Sequence, residues 1–117
     1  MKAIIEVARK GSIFSAVAAQ LSGAAQGQAP DFRLSFESAR SLFAELTPAR
    51  LDLLDSLRRI GPCSVYSLAK AAQRNYSNVH SDVARLEELG LIEKAEDGAV
   101  SVPFESLEIL FPLAQVA

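Results

Sequence analysis

The segment from residue 62 to residue 104 constrains the fold most, because its local signals follow one another in a fixed order. Ser64 can cap a short helix, Asn75 can cap a second helix, and Gly90 ends that second helix. Two β-prone runs follow, separated by Asp97-Gly98, a dipeptide typical of the tight turn in a β-hairpin. The segment therefore predicts the order helix, turn, helix, hairpin.

Another helix is predicted immediately before this segment. Thr47 is a suitable cap, Pro48 suits the first helical position, and Gly61 ends the helix. Its apolar residues recur at helical spacing, and we expect the buried stripe to be Leu51, Leu54, Leu57 and Ile60. Three helices followed by a hairpin are the plan of a winged helix-turn-helix domain, whose usual work is to place one helix in the major groove of DNA.

The first 46 residues predict a separate β-α-β-α extension. A β-prone run covers Lys2–Ala8, helical spacing covers 13–25, and alternation of apolar and polar residues predicts a strand over Asp31–Phe36. A further helix begins at Ser35 or Ser38. We expect the two strands to pair in a small sheet, and the open edges of that sheet favour a role in dimerisation or partner binding.

The last apolar run, Leu107–Leu113, is predicted as a strand that either rejoins the N-terminal strands or pairs with a partner. With this strand, the chain is predicted as an α+β protein of two domains. The first domain is the extension, residues 1–46. The second is the winged helix-turn-helix domain, residues 47–117, which includes the C-terminal strand.

The charge balance argues against strong long-range attraction to nucleic acid. The chain has 12 basic and 14 acidic residues and a net charge of −2. Residues 47–104 contain seven basic and eight acidic residues, a net charge of −1. Because a basic face is the usual footprint of a nucleic-acid binder, DNA affinity must come from local cations or from dimerisation.

Composition and motifs also exclude several classes of protein. One Cys and one His make neither an internal disulfide nor a zinc site, and a lone cysteine fits a reducing cytoplasm. No window holds the roughly 18 apolar residues of a membrane span. The apolar segment Ser12–Ala25 is interrupted by polar residues, so we expect no secretory signal. No catalytic set or cofactor motif is recognisable, so we expect neither an enzyme nor a cofactor.

The third helix of this domain is predicted over Tyr76–Leu89, with Val79, Val83, Leu86 and either Leu89 or Leu91 in its buried stripe. The residues that then point outward in its N-terminal half are short, polar and free of carboxylates. They are Ser77, Asn78 and Ser81, with His80 on the flank. A recognition helix contacts base edges with its N-terminal residues, so this surface favours base contact over an ordinary solvated face.

Two of these residues have an alternative role that the sequence leaves open. Asn78 can form a bidentate pair with adenine, worth about 1–3 kcal/mol in discrimination, or can help to cap its own helix. His80 can donate to a phosphate or accept from a base, or can be a half-buried histidine bonded to backbone.

Phosphate contacts are predicted from a second set of residues: Ser64, Arg74, Tyr76, Arg85 and Lys94. Ser64 lies where the amides of a helix N-terminus can bind phosphate without a side-chain charge. Arg85 can reach phosphate or pair with Asp82 or Glu88 in a surface bridge of little energetic value. Tyr76 can cover the core at the turn and present its hydroxyl to phosphate.

Two long stretches carry a resemblance to a known family. They are LTPARLDLLDSLRRIGPCSVYSLA at 46–69 and NVHSDVARLEELGLIEKAEDGAVSVPFESLEI at 78–109, and the tripeptide FES at 36–38 also matches. This pattern resembles small prokaryotic winged helix-turn-helix proteins of the MarR-like transcriptional regulators. Some of these are encoded beside toxin genes as antitoxins. The resemblance covers about residues 32–110.

The resemblance implies sequence-specific binding of double-stranded DNA by a homodimer, with autoregulation and a cognate toxin as further expectations. The family's binding positions would fall on Tyr76, Ser77, Asn78, His80, Ser81 and Arg85. Where such proteins are expected to carry charged residues, this chain has Asn75, Ser77 and Ser81, which weakens the expected affinity but not the expected fold.

Two hypotheses from different classes therefore stand. The first is a cytoplasmic DNA-binding transcriptional regulator, which the order of elements and the polar half of the third helix favour. The second is a protein-interaction module, a toxin-neutralising antitoxin with weak or no DNA binding. The net negative charge and the acidic hairpin turn favour the second.

Overall fold

The computed structural model describes residues 1–8 and 31–113. Within these ranges the fold is mixed α+β, and the chain divides into two compact units, Met1–Glu45 with Ser106–Ala117, and Leu46–Glu105. In chain order the described elements are β1 (Lys2–Val7), β2 (Phe32–Phe36), α1 (Ala39–Glu45), α2 (Pro48–Ile60), α3 (Val65–Ala72), α4 (Tyr76–Glu88), β3 (Glu93–Lys94), β4 (Val100–Ser101) and β5 (Ser106–Leu110). The helix predicted over 13–25 lies outside the described residues.

The first unit contains a three-stranded sheet in which β1 lies between β2 and β5, and all strands are parallel. Ile5 is aligned with Leu34 on one side and with Ile109 on the other. Consecutive residues of β1 are buried, as is typical of a central parallel strand covered on both faces. The predicted pairing of the first two strands is confirmed. The last apolar run was predicted either to join the N-terminal strands or to pair with a partner, and in the structure β5 pairs with β1.

Each helix of the second unit begins at the cap that the sequence predicts. The backbone amide of Arg50 donates to Thr47 Oγ1 (3.2 Å), that of Ser67 to Ser64 Oγ (3.0 Å), and that of Asn78 to Asn75 Oδ1 (3.2 Å). These bonds satisfy donors that have no partner inside a helix. In the first unit Ser38, not Ser35, caps α1, since its Oγ accepts from the amide of Ser41 (3.1 Å).

The buried stripe of α2 differs from the prediction. Leu53, Leu54 and Leu57 are buried, whereas Ile60 is 47% exposed. A helix turns by about 100° per residue, so a series with steps of three drifts by about 60° at each step and leaves the buried face. The predicted stripe of α4 is confirmed, because Val79, Val83 and Leu86 are all buried. Of the two alternatives for its last member, Leu91 is buried and Leu89 is half-buried. None of the described helices is both long and apolar enough to span a membrane.

The hairpin is short, and the turn residues determine its geometry. Strands β3 and β4 pair antiparallel, with Glu93 opposite Ser101 and Lys94 opposite Val100. Gly98 has φ +89°, a conformation that L side chains rarely adopt, so the predicted Asp-Gly turn needs its glycine. Cys63 exchanges two backbone hydrogen bonds with Val100 (3.1 and 2.8 Å), which attaches the hairpin to the residue before the cap of α3.

Candidate functional site

The N-terminal half of α4 combines a buried face with an exposed face of neutral polar side chains. Val79 is fully buried and fixes the rotation of the helix. The exposed face carries Ser77, Asn78, His80 and Ser81. The exposure predicted for Ser77, Asn78 and Ser81 is confirmed. His80, for which the sequence left a half-buried position open, is exposed as well. The role of all four as contacts stays a prediction.

Asn78 and Asn75 have different local roles at the start of α4. Asn75 accepts from the amide of Asn78 and is the cap of the helix. The side-chain amide of Asn78 forms no hydrogen bond with any part of the chain that the structure describes. Its donor and acceptor therefore remain available to a ligand, and the capping alternative for Asn78 is wrong.

Three exposed rings form a continuous surface, named here the aromatic row, from Tyr66 in α3 through Tyr76 to His80 in α4. The centroids of Tyr66 and Tyr76 are 6.4 Å apart, and those of Tyr76 and His80 are 5.8 Å apart. Both pairs are tilted, by 50° and 44°, and lie within the usual range of favourable aromatic contacts. Tyr66 is 66% exposed and Tyr76 is 48% exposed, so the row presents apolar area to solvent beside the polar face of α4.

Asp82 lies between two arginines in an ion-pair cluster, named here the arginine clamp (Arg50, Asp82, Arg74). Arg74 Nη2 is 2.8 Å from Asp82 Oδ2, and Arg50 Nε is 3.0 Å from Asp82 Oδ1. Burial raises the pKa of the Asp82 carboxyl. The hydrogen bonds and charges of Arg74 and Arg50 lower that pKa by more than burial raises it, so the net pKa lies below the ordinary value. The clamp joins α2, the turn before α4 and α4 itself.

The clamp changes what Arg74 can contribute to ligand binding. Its Nη2 is engaged by Asp82, and its Nη1 is buried without a hydrogen-bond partner among the described residues. A phosphate bound at Arg74 would have to compete with the carboxylate of Asp82. The structure therefore makes Arg74 a member of the clamp, and its predicted phosphate contact stays a prediction.

The remaining predicted phosphate contacts are distributed over three elements. Arg85 Nη1 is 2.9 Å from Glu88 Oε2, which is one of the bridges that the sequence left open. The Ser64 hydroxyl is used within α3, because it accepts from the Ser67 amide and donates to the Ser67 hydroxyl, 3.0 Å in each case. Lys94 is exposed on β3. The exposed face of α4 thus lacks a cation in its N-terminal half.

The thiol of Cys63 is half-buried, and burial raises its pKa, which disfavours the nucleophilic thiolate. Within residues 1–8 and 31–113, no group of three or more His, Cys, Asp or Glu residues could hold a metal ion. The exposed face of α4 can offer hydrogen bonds to a ligand, and the aromatic row can offer apolar contact.

Sequence reasoning missed two features of the site. Tyr66 was not among the predicted contacts, although its position off the Val65, Leu68 and Ala69 stripe of α3 is a signal for exposure. The arginine clamp was also missed. Its members are 8 and 32 residues apart along the chain, and no local pattern predicts ion pairs at such separations.

A family model named HVO_A0114 matches residues 45–109, which include α2, α3, α4 and the hairpin. The same match covers four of the five residues of β5. No curated protein and no solved structure matches the chain.

Proposed function

From the premise that the chain belongs to the HVO_A0114 family, whose model matches the whole of the second unit, we propose that this protein is a cytoplasmic, sequence-specific DNA-binding transcriptional regulator. In this proposal residues 47–104 are a winged helix-turn-helix of the MarR-like kind. Helix α4 is the recognition helix, and the hairpin β3–β4 is the wing.

One observation carries this proposal: the N-terminal half of α4 exposes Ser77, Asn78, His80 and Ser81 while Val79 is buried beneath them. Recognition helices contact base edges with their N-terminal residues, and short neutral side chains with donors and acceptors can approach those edges closely. An ordinary solvated helix face would carry long lysine and glutamate side chains there. The absence of carboxylates from this exposed half also removes repulsion from the phosphate backbone.

The charges indicate that single-site affinity is modest. Residues 47–104 carry a net charge of −1, and Arg50, Arg74 and Arg85 are in ion pairs. Phosphate neutralisation supplies most of the non-specific DNA affinity, so little of it is expected here. Specific binding then requires two half-sites read by a homodimer, in which two modest contacts act together.

Edge strand β5 supports dimerisation or a protein partner. Leu110 is 45% exposed at the end of this strand, and Leu113 just beyond it is 76% exposed. Parallel sheets are usually covered on both faces, and exposed strand edges are templates for pairing. This apolar edge also favours the second candidate function, an antitoxin that neutralises a cognate toxin protein through the sheet-containing unit with little DNA binding.

Titration of the protein onto the DNA upstream of its own gene, at several salt concentrations and against random DNA of equal length, tests the first function. We expect a salt-dependent preference for the upstream DNA, altered in Asn78→Ala and kept in the control Ser56→Ala, which removes a half-buried hydroxyl from α2. Equal binding of both DNAs at every salt concentration rejects the regulator.

Co-expression with the product of the neighbouring gene tests the second function. We expect the two proteins to co-purify, and the double variant Leu110→Ser, Leu113→Ser to lose the complex while α4 stays intact. Separate elution of the wild-type proteins counts against the antitoxin. Light scattering of the protein alone separates loss of a homodimer from loss of the partner.

A further inference from the structure

We propose that the N-terminal half of α4 reads A·T base pairs in the major groove, recognising adenine through Asn78 and thymine methyl groups through the ring of Tyr76, which Tyr66 holds in place. This inference rests on the proposed DNA-binding function and specifies its substrate class. It adds Tyr66 to the interface as a positioning residue.

The first argument is that the exposed face of α4 lacks the paired cationic donors that usually recognise guanine. Guanine presents two acceptors, N7 and O6, and is read most often by the paired donors of Arg or Lys. The exposed residues of α4 before its last turn are neutral, and the cation in the last turn, Arg85, is paired with Glu88. Arg74 is engaged by Asp82. The described part of α4 therefore has no strong guanine reader in the half that would enter the groove.

The second argument is that Asn78 has the donor and the acceptor that adenine recognition needs, and that both are exposed. A carboxamide can accept from N6 and donate to N7 of adenine at the same time. The Asn78 side chain is exposed and bonds to no described residue, because Asn75 caps the helix in its place. Its amide can thus turn outward without the loss of a hydrogen bond inside the protein.

The third argument is the apolar area of the aromatic row. Thymine alone among the bases presents a methyl group in the major groove, and apolar side chains recognise it by contact. Tyr76 is the first residue of α4 and is 48% exposed, so its ring lies at the end of the helix that approaches bases. The ring centroids of Tyr66 and His80 lie 6.4 and 5.8 Å from that of Tyr76, and these two neighbours restrict the rotation of its ring before DNA arrives.

The test begins with a random-sequence duplex library enriched by the full-length protein. The enriched duplex is then synthesised in three forms: native, with deoxyuridine in place of thymidine, and with 7-deazaadenine in place of adenine. Deoxyuridine removes only the major-groove methyl group, and 7-deazaadenine removes only the N7 acceptor. Base pairing is retained in both forms, so each change isolates one contact.

We expect an enriched core rich in A·T pairs. Deoxyuridine should weaken wild-type binding about fourfold for each contacted methyl, the loss expected for one buried methylene-sized group. Tyr76→Phe should keep this loss, because the ring remains, and Tyr76→Ala should bind the native and deoxyuridine duplexes equally. 7-Deazaadenine should weaken the wild type about tenfold and leave Asn78→Ala unaffected.

Tyr66→Ala should reduce the effect of deoxyuridine and leave the effect of 7-deazaadenine unchanged, with Tyr66→Phe as the matched control. A variant that had merely lost its fold would lose both effects together. An enriched core of G·C pairs, or equal wild-type affinity for the native and deoxyuridine duplexes, overturns the inference and leaves the DNA-binding function standing. Failure to enrich any sequence overturns both.

Discussion

Arg74 donates from Nη2 to Oδ2 of Asp82 across 2.8 Å, which joins the turn before α4 to the second turn of that helix. Arg50 donates to the other carboxylate oxygen from α2. One carboxylate thus ties three segments whose mutual positions determine where the exposed face of α4 points. Because Asp82 is only 17% exposed, solvent screens these charge-assisted bonds less than it screens surface pairs.

Asp82→Asn should destabilise the protein. Removal of the charge weakens two hydrogen bonds from arginines, and bonds to charged groups contribute about 1.5–3 kcal/mol each before compensation. We expect the free energy of unfolding in urea at pH 7 to fall by about 1–3 kcal/mol. Asp55→Asn is the matched control, since Asp55 is 74% exposed in its pair with Arg59 and such pairs contribute little. Equal losses in the two variants would contradict a special role for the clamp.

The destabilisation caused by Asp82→Asn should depend on pH. The pKa of Asp82 is lower in the folded chain than in the unfolded chain, where it is about 3.9. The stability that the clamp contributes is therefore fully present above that unfolded value and is lost as the pH falls through the folded pKa. The difference in unfolding free energy between the wild type and Asp82→Asn should be constant from pH 7 to pH 5 and should shrink below about pH 4. A difference that grows on acidification would contradict this assignment.

Substitutions at Asn75 and Asn78 should have different effects, the first on stability and the second on base preference. Asn75→Ala removes the cap of α4 and should lower the free energy of unfolding by about 1 kcal/mol. Asn78→Ala should leave thermal stability almost unchanged and alter base preference. Denaturation and DNA titration of both variants check this. The hypothesis fails if Asn78→Ala unfolds as easily as Asn75→Ala.

Local signals predicted the start of every helix in the second unit. The sequence did not predict contacts between residues that are far apart along the chain. Thr47, Ser64 and Asn75 act within three residues, so each cap is visible in the sequence. The exposed face of α4 follows from periodicity alone. The arginine clamp depends on tertiary positions that no period encodes.

Replacement of Gly61 should destabilise the protein because of its backbone conformation. It ends α2 with φ +91° and ψ −176°, a region open essentially to glycine alone. The Cβ of an alanine would meet no atom within 4 Å, so any effect must come from the backbone. We expect Gly61→Ala to lower the free energy of unfolding by about 1–3 kcal/mol in urea denaturation. A change below the error of that measurement would show that the turn relaxes freely.

Lys94 should act as a phosphate contact rather than as a reader of sequence. It is exposed on β3, in the hairpin proposed as the wing. Each phosphate that a lysine neutralises adds about 0.9 to the slope of log affinity against log salt, because counterions are released. Lys94→Ala should therefore weaken binding to the enriched and random duplexes by the same factor and reduce that slope by about 0.9 per protomer. Lys2→Ala, which removes an ion pair with Glu108 in the three-stranded sheet, should leave the slope unchanged. A loss confined to one sequence, or a slope identical to that of the wild type, would exclude Lys94 from the DNA backbone and leave the proposed wing without a phosphate-binding lysine.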